Sequence, residues 1–135
     1  MRQPYAGRVE KVTGIGGFFF RAADPDALAA WYRDTLGIPE VPQSYDDASW
    51  WQAAGTTVFT PMAEAMDQFG EPQAGWAINF RVNDLAAMVA QLEAAGMHVE
   101  VDPETYPNGT FASLRDPEGN PIQLWQPEGR DAVQP

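Results

Sequence analysis

The side chains able to do chemistry in this chain are few. There is one histidine, His98, and no cysteine, so thiolate metal sites, disulfides and thiol nucleophiles are excluded. His98 follows an amphipathic stretch and reads as an ordinary surface or rim histidine. Acid–base chemistry would need a carboxylate or a tyrosine beside a cleft. Asp102, Glu104 and Tyr106 could reach a cleft rim, but nothing in their spacing is diagnostic and a solvated loop is the first expectation. Arg21 and Arg81 each end a β-rich run. An arginine turned inward needs a carboxylate or phosphate partner, supplied by the protein or by a ligand. With 19 acidic residues present the protein is the first expectation, and an anionic ligand is the other. No nucleophile motif occurs, and "GIGG" at 14–17 lacks the lysine and helix of a phosphate loop.

The elements that must position these groups are legible from periodicity. Residues 12–22, "VTGIGGFFFRA", form a β-rich run ending at Asp24-Pro25, where Asp24 can cap a helix and Pro25 occupy its first position. The helix is predicted over Pro25–Leu36, with Leu28, Trp31, Tyr32 and Leu36 at helical spacing and Gly37 as its stop. Ser49–Ala53 and Thr56–Pro61 read as strands joined through Ala54-Gly55, and 62–75 as a connection. "WAINFRVND", 76–84, alternates, with Ile78, Phe80 and Val82 on one face and Ala77, Asn79 and Arg81 on the other. Asp84 caps a second helix, which Gly96 ends. Strands follow at about 97–101, 110–115 and 121–125, the last two joined by the turn "DPEGN" with Gly119 available for positive φ. The tail from 127 is polar and is expected to fray.

Composition bounds the function. The 135 residues fit one domain that buries roughly two thirds of its unfolded surface. A net charge of −11 without a basic stripe argues against nucleic acid and anionic membrane as partners. No stretch approaches the roughly 20 apolar residues of a membrane span, and the N-terminus lacks a signal-type apolar run, so a cytoplasmic protein is expected.

The two halves repeat. Phe20-Arg21 and Asp24 match Phe80-Arg81 and Asp84 at an offset of 60, and Ala27 and Ala30 match Ala87 and Ala90. The expected fold is α+β: two βαβββ modules, about 12–61 and 76–126, within one domain, their curved sheets around a shared cleft and their helices outside.

With "GFFFRAADPDALAAWYRDTLGIP" opening one half, and "NFRVNDLAAMVAQLEAAG" and "FASLRDPEGNPIQLWQP" in the other, the chain resembles the vicinal oxygen chelate superfamily. That group holds glyoxalase I, extradiol dioxygenases, fosfomycin-resistance enzymes, methylmalonyl-CoA epimerase and bleomycin-binding proteins. The resemblance spans about residues 12–126 and implies the fold more firmly than the chemistry, since one fold hosts many functions. It also implies metal-ligand positions on the first and last strands of each module, which fall here on Gly17 (or its neighbour Gly16), Ala77, Phe59 and Gln123. A divalent cation needs imidazole, thiolate or carboxylate lone pairs at about 2.0–2.6 Å. Glycine, alanine and phenylalanine side chains offer none and a neutral amide is a weak donor, so no metal and no other cofactor is expected.

Strand parity nominates a cleft lining of Phe19, Arg21, Trp50, Phe59, Asn79, Arg81, Phe111, Ser113, Gln123 and Trp125, with Thr57, Ala77 and Arg115 on the same faces. Rings and small residues with a few polar groups suit a small aromatic or partly apolar ligand. The same rings, with Trp51 and Trp76, serve equally to pack the halves together. The expectation is a bleomycin-resistance-like binding protein, paired as a homodimer on the strength of the resemblance. The alternatives are an enzyme of lyase, isomerase or dioxygenase type and a partner-binding protein whose cleft is filled by its own side chains.

Overall fold

The computed structural model describes residues 10–65 and 75–135. Helix α1 spans Pro25–Leu36. The Asp24 carboxylate accepts from Ala27 N at 3.1 Å, Pro25 opens the first turn, and Gly37 closes the helix in the left-handed region at φ 74°. Helix α2, Leu85–Ala94, is built the same way: Asp84 accepts from Ala87 N at 3.0 Å and Gly96 turns the chain at φ 90°. Each cap satisfies one of the orphan N–H groups of the first turn, which is why both helices start where the aspartates stand.

Four strands form one mixed sheet: β1 Ile78–Arg81, β2 Glu100–Val101, β3 Gly109–Arg115 and β4 Pro121–Pro127. Their order is β1-β4-β3-β2, with β1 parallel to β4 and the remaining pairs antiparallel. The second half is therefore a complete βαβββ unit, and the chain has the α+β, glyoxalase-like fold that the repeat implies. Both helices lie on one face of this sheet. Leu28 and Tyr32 from α1, with Leu85, Val89 and Leu92 from α2, pack on Ala112, Leu114, Ile122 and Leu124. Ile78, Phe80 and Val82 border this core, so the alternation in 76–84 sorted the two faces of β1 correctly.

The strands expected in the first half are not formed. Among the described residues, 12–22, 49–53 and 56–61 make no hydrogen-bonded ladder with each other or with the sheet, and the hairpin at Ala54-Gly55 is absent. Alternation decides which way side chains point, but a strand exists only where a neighbour supplies its ladder, and no described segment lies along the outer edge of β1. The parity of the first run survives as packing. Phe18 and Phe20 turn toward Trp76 at 5.0 and 5.2 Å between ring centroids, and Phe20 also meets Tyr32, while Phe19 between them is 93% exposed. Gly37–Pro61 likewise carries no regular element beyond turns. The connection over 62–75 falls partly outside the described residues.

One polar cluster fixes α1 on the sheet. Asp116, 4% exposed, accepts from Tyr32 Oη at 2.7 Å, Glu118 N at 2.8 Å, Asn120 N at 3.0 Å and Asn120 Nδ2 at 2.7 Å. Four donors make a buried carboxylate tolerable where an unpaired one would be expelled. The same turn then reaches outward. The Glu118 carboxylate accepts from Ala23 N at 2.7 Å and Asp24 N at 3.0 Å, immediately before α1. Gly119, at φ 85°, lets the chain reverse between β3 and β4.

The tail is more ordered than its polarity suggests. β4 runs to Pro127, Glu128 N donates to Asn108 O at 3.0 Å, and a short 3-10 turn follows over Gly129–Ala132. Among the described residues no helix is long and apolar enough to cross a membrane.

Candidate functional site

The face of the sheet opposite the helices gathers six of the ten nominated residues: Asn79 and Arg81 from β1, Phe111 and Ser113 from β3, and Gln123 and Trp125 from β4. Register arranges them in two rows. Across one row lie Asn79, Gln123, Ser113 and Glu100. The other holds Arg81, Trp125 and Phe111, with Asp102 N donating to Phe111 O at 3.0 Å to continue it. With strands about 4.8 Å apart, each row spans roughly 14 Å from β1 to the β2 side.

The first row is neutral until its end. Asn79 Nδ2 donates to Gln123 Oε1 at 2.7 Å, so the amide oxygen at the one metal-ligand position that has an oxygen is already engaged. Ala77, also on β1's side of the face, has no donor atom. Among the described residues no three His, Cys, Asp or Glu side chains converge as a metal site would require. The described residues at these positions do not fit the divalent cation that the fold family implies.

The second row is a ring platform. Phe111 and Trp125 are parallel, 4° apart with centroids at 6.0 Å, and Tyr106 stands edge-on to Phe111 at 5.8 Å. Trp125 is 3% exposed and its Nε1 donates to Asn108 O at 2.9 Å, so the indole is a floor and Phe111 the more accessible ring. Gly109 permits this closeness. At φ 136° it turns where an L side chain would be strained, and a Cβ there would strike Gln126 O and press on the indole nitrogen. A hollow of about 250 Å3, lined by Glu100, Asp102, Phe111, Ser113 and Gln123 among others, opens beside Phe111 on the β2 side.

Arg81 closes the β1 end. Its Nη2 donates to Ala53 O at 3.1 Å, and its guanidinium lies so close to Gly55 that a Cβ there would overlap it. The segment that was to form a hairpin thus returns to this face through an arginine contact instead. At the opposite end Tyr106 Oη donates to Asp102 Oδ2 at 2.8 Å and Glu104 N donates to Asp102 Oδ1 at 3.0 Å. The Asp102 carboxylate holds the Tyr106 phenol above its ordinary range, chiefly through that hydrogen bond. Tyr106 therefore stays protonated and is a poor general base.

The other nominated residues are not brought here. Phe19 and Phe59 are 93% and 86% exposed, Trp50 and Arg21 are exposed, and none makes a side-chain hydrogen bond or ring contact with the platform. Gly17 lies in the same unpaired run. Trp76 and Trp31 pack against Phe18, Phe20 and Tyr32, the packing role allowed for such rings. His98 is exposed, as a surface histidine should be. Sequence reasoning missed Glu100 and the approach of Ala53 and Gly55. The first needed the β2–β3 register, and the second a contact that no pattern encodes.

Comparison with known proteins bears on this geometry. Residues 17–125 match the family described as Glyoxalase-like domain. No curated protein matches the chain significantly. Among solved structures, TnmS3, an antibiotic binding protein from Streptomyces sp. CB03234, is similar at a TM-score of 0.57 and 22% identity, covering 89% of this chain and all of that one. Lactoylglutathione lyase from Agrobacterium tumefaciens is similar at a TM-score of 0.55 and 20% identity, covering 87% of this chain and 96% of that one. At such identities the two structures speak to the fold, whereas the family match spans most of the sequence. The chain belongs to the glyoxalase-like domain family of the vicinal oxygen chelate superfamily.

Proposed function

We propose that the chain binds a small aromatic or partly apolar molecule on the open face of its sheet, without a divalent metal. The observation that carries this reading is the Asn79–Gln123 amide pair beside the Phe111–Trp125 platform. It puts a neutral amide, Gln123, at a position where a metal-dependent relative needs an anionic or imidazole ligand, with flat apolar surface beside it. That one fold neighbour is an antibiotic binding protein supports a binding role for the architecture.

The test is a screen of planar aromatic compounds by amide-shift NMR, run after dialysis against a chelator and again with nickel or zinc. Shifts at Ser113 and Gln123 that do not depend on metal are expected. Stoichiometric metal retained through purification, or binding seen only with metal, sinks the reading.

The chain pairs with a second copy in the same proposal. Val12, Ile15, Phe19, Val58 and Phe59 are exposed along segments without a ladder, and a second copy that pairs with those segments would cover them. Sedimentation velocity at micromolar concentration should give a dimer, and a monomer at all concentrations would remove this part.

A further inference from the structure

We propose that Arg81 is the anchor for a carboxylate carried by the ligand, so that the molecule taken is an aromatic acid; this rests on the binding reading above. Arg81 is half-buried on the open face, and among the described residues the ion pairs are those of Arg33 with Asp34 and Glu40. In a chain of net charge −11, a part-buried guanidinium with no carboxylate of the described residues within 4.0 Å runs against simple charge matching. Among the described residues only one of its five N–H donors is engaged, by Ala53 O. Arg115, the next cation on this face, is already turned back onto Gly119 O at 2.6 Å.

The surroundings make the guanidinium directional. The close approach of Gly55 and the bond to Ala53 hold the guanidinium against one segment, which reduces the ordering cost of binding a planar, bidentate partner. Arg81 shares its row with Trp125 and then Phe111, two strands and roughly 10 Å away. A ring lying on Phe111 with a carboxylate directed along the row would span that gap with the help of the arginine's own reach. Glu100 and Asp102 stand at the far end and repel the same carboxylate, so the polarity of the face selects one orientation.

The experiment compares 2-naphthoate with its neutral twin 2-naphthamide by titration calorimetry, with amide-shift NMR to locate both. The wild type should bind the acid about ten- to a hundredfold more tightly, the range of one charge-assisted hydrogen-bonded pair. Arg81→Gln should abolish that preference, and an amide spectrum unchanged away from this face verifies that the variant is folded. Arg81→Lys, keeping charge without the planar fork, should retain part of the preference and serves if the glutamine variant does not fold. Equal binding of acid and amide to the wild type, or an undiminished preference in either variant, overturns the carboxylate anchor and leaves the binding reading standing. Binding of neither compound to this face overturns the binding reading, and the anchor falls with it.

Discussion

Replacing Tyr32 by Phe removes one oxygen and nothing else, yet it should rank among the costlier conservative changes in this chain. The lost bond, Tyr32 Oη to Asp116 Oδ2 at 2.7 Å, lies between two buried residues, 8% and 4% exposed. Hydrogen bonds to charged groups are worth about 1.5–3 kcal/mol, and phenylalanine fills the same volume, so no cavity term is added. Asp116 keeps three donors from Glu118 and Asn120, which limits the loss to that range. For a domain of this size it corresponds to a fall of roughly 5–15 °C in Tm. Urea denaturation should show a lower midpoint with an unchanged m-value, the signature of lost stability without a changed native surface. Asp116→Ala should cost more, about 3–5 kcal/mol, because it strands the phenol and the turn's N–H groups together. The double variant should then fall short of the sum by about 1–3 kcal/mol. A Tyr32→Phe midpoint within about 0.5 kcal/mol of wild type would show that the carboxylate does not depend on this donor, and the account of how α1 is seated would be wrong.

Four further outcomes are expected. Burial, and then the bond and charge of Asp116, raise the Tyr32 phenol well above its ordinary value; its contribution is complete below the unfolded pKa of about 10 and is lost as pH climbs toward the folded one. Phenolate absorbance at 295 nm should therefore report Tyr32 only as the protein unfolds in alkali, and a normal titration of this residue in the folded state would contradict it. Gly109→Ala should destabilise by more than about 1 kcal/mol, since φ 136° and the contact with Gln126 O both oppose a Cβ; thermal denaturation reads it. Leu124→Ala, at a fully buried position in the centre of the sheet, should cost about 2–5 kcal/mol in the same assay. Chelator treatment should leave Tm within about 1 °C, whereas a metal held by the fold would shift it by several degrees.

The helices were legible in the sequence because their ends are spelled locally: Asp24-Pro25 and Gly37 for α1, Asp84 and Gly96 for α2. The second-half strands were legible because alternation there coincides with a real two-faced sheet, so Asn79, Phe111, Ser113 and Gln123 emerge on a common side. The first-half strands carry a similar composition but no ladder, and pairing is a property of two segments that no single run displays. The Tyr32–Asp116 bond joins residues 84 apart, one read as part of an apolar helix stripe and the other as a turn residue. A signal was present all the same: a tyrosine in a core-facing stripe must find a partner for its hydroxyl. The Arg81 contact with Ala53 had no such signal, since a backbone carbonyl leaves no trace in sequence.

The clasp between Glu118 and the start of α1 has a consequence for biosynthesis. The acceptor that receives Ala23 N lies 95 residues downstream, so α1 leaves the ribosome several seconds before its seat has been translated. Through that interval its apolar stripe, and the three phenylalanines ahead of it, have only solvent or a chaperone to face. Final docking must wait for the β3–β4 turn to close. Folding of the isolated chain should accordingly be limited by this long loop closure rather than by helix formation, and ending the chain before residue 116 would leave a helix with nowhere to land.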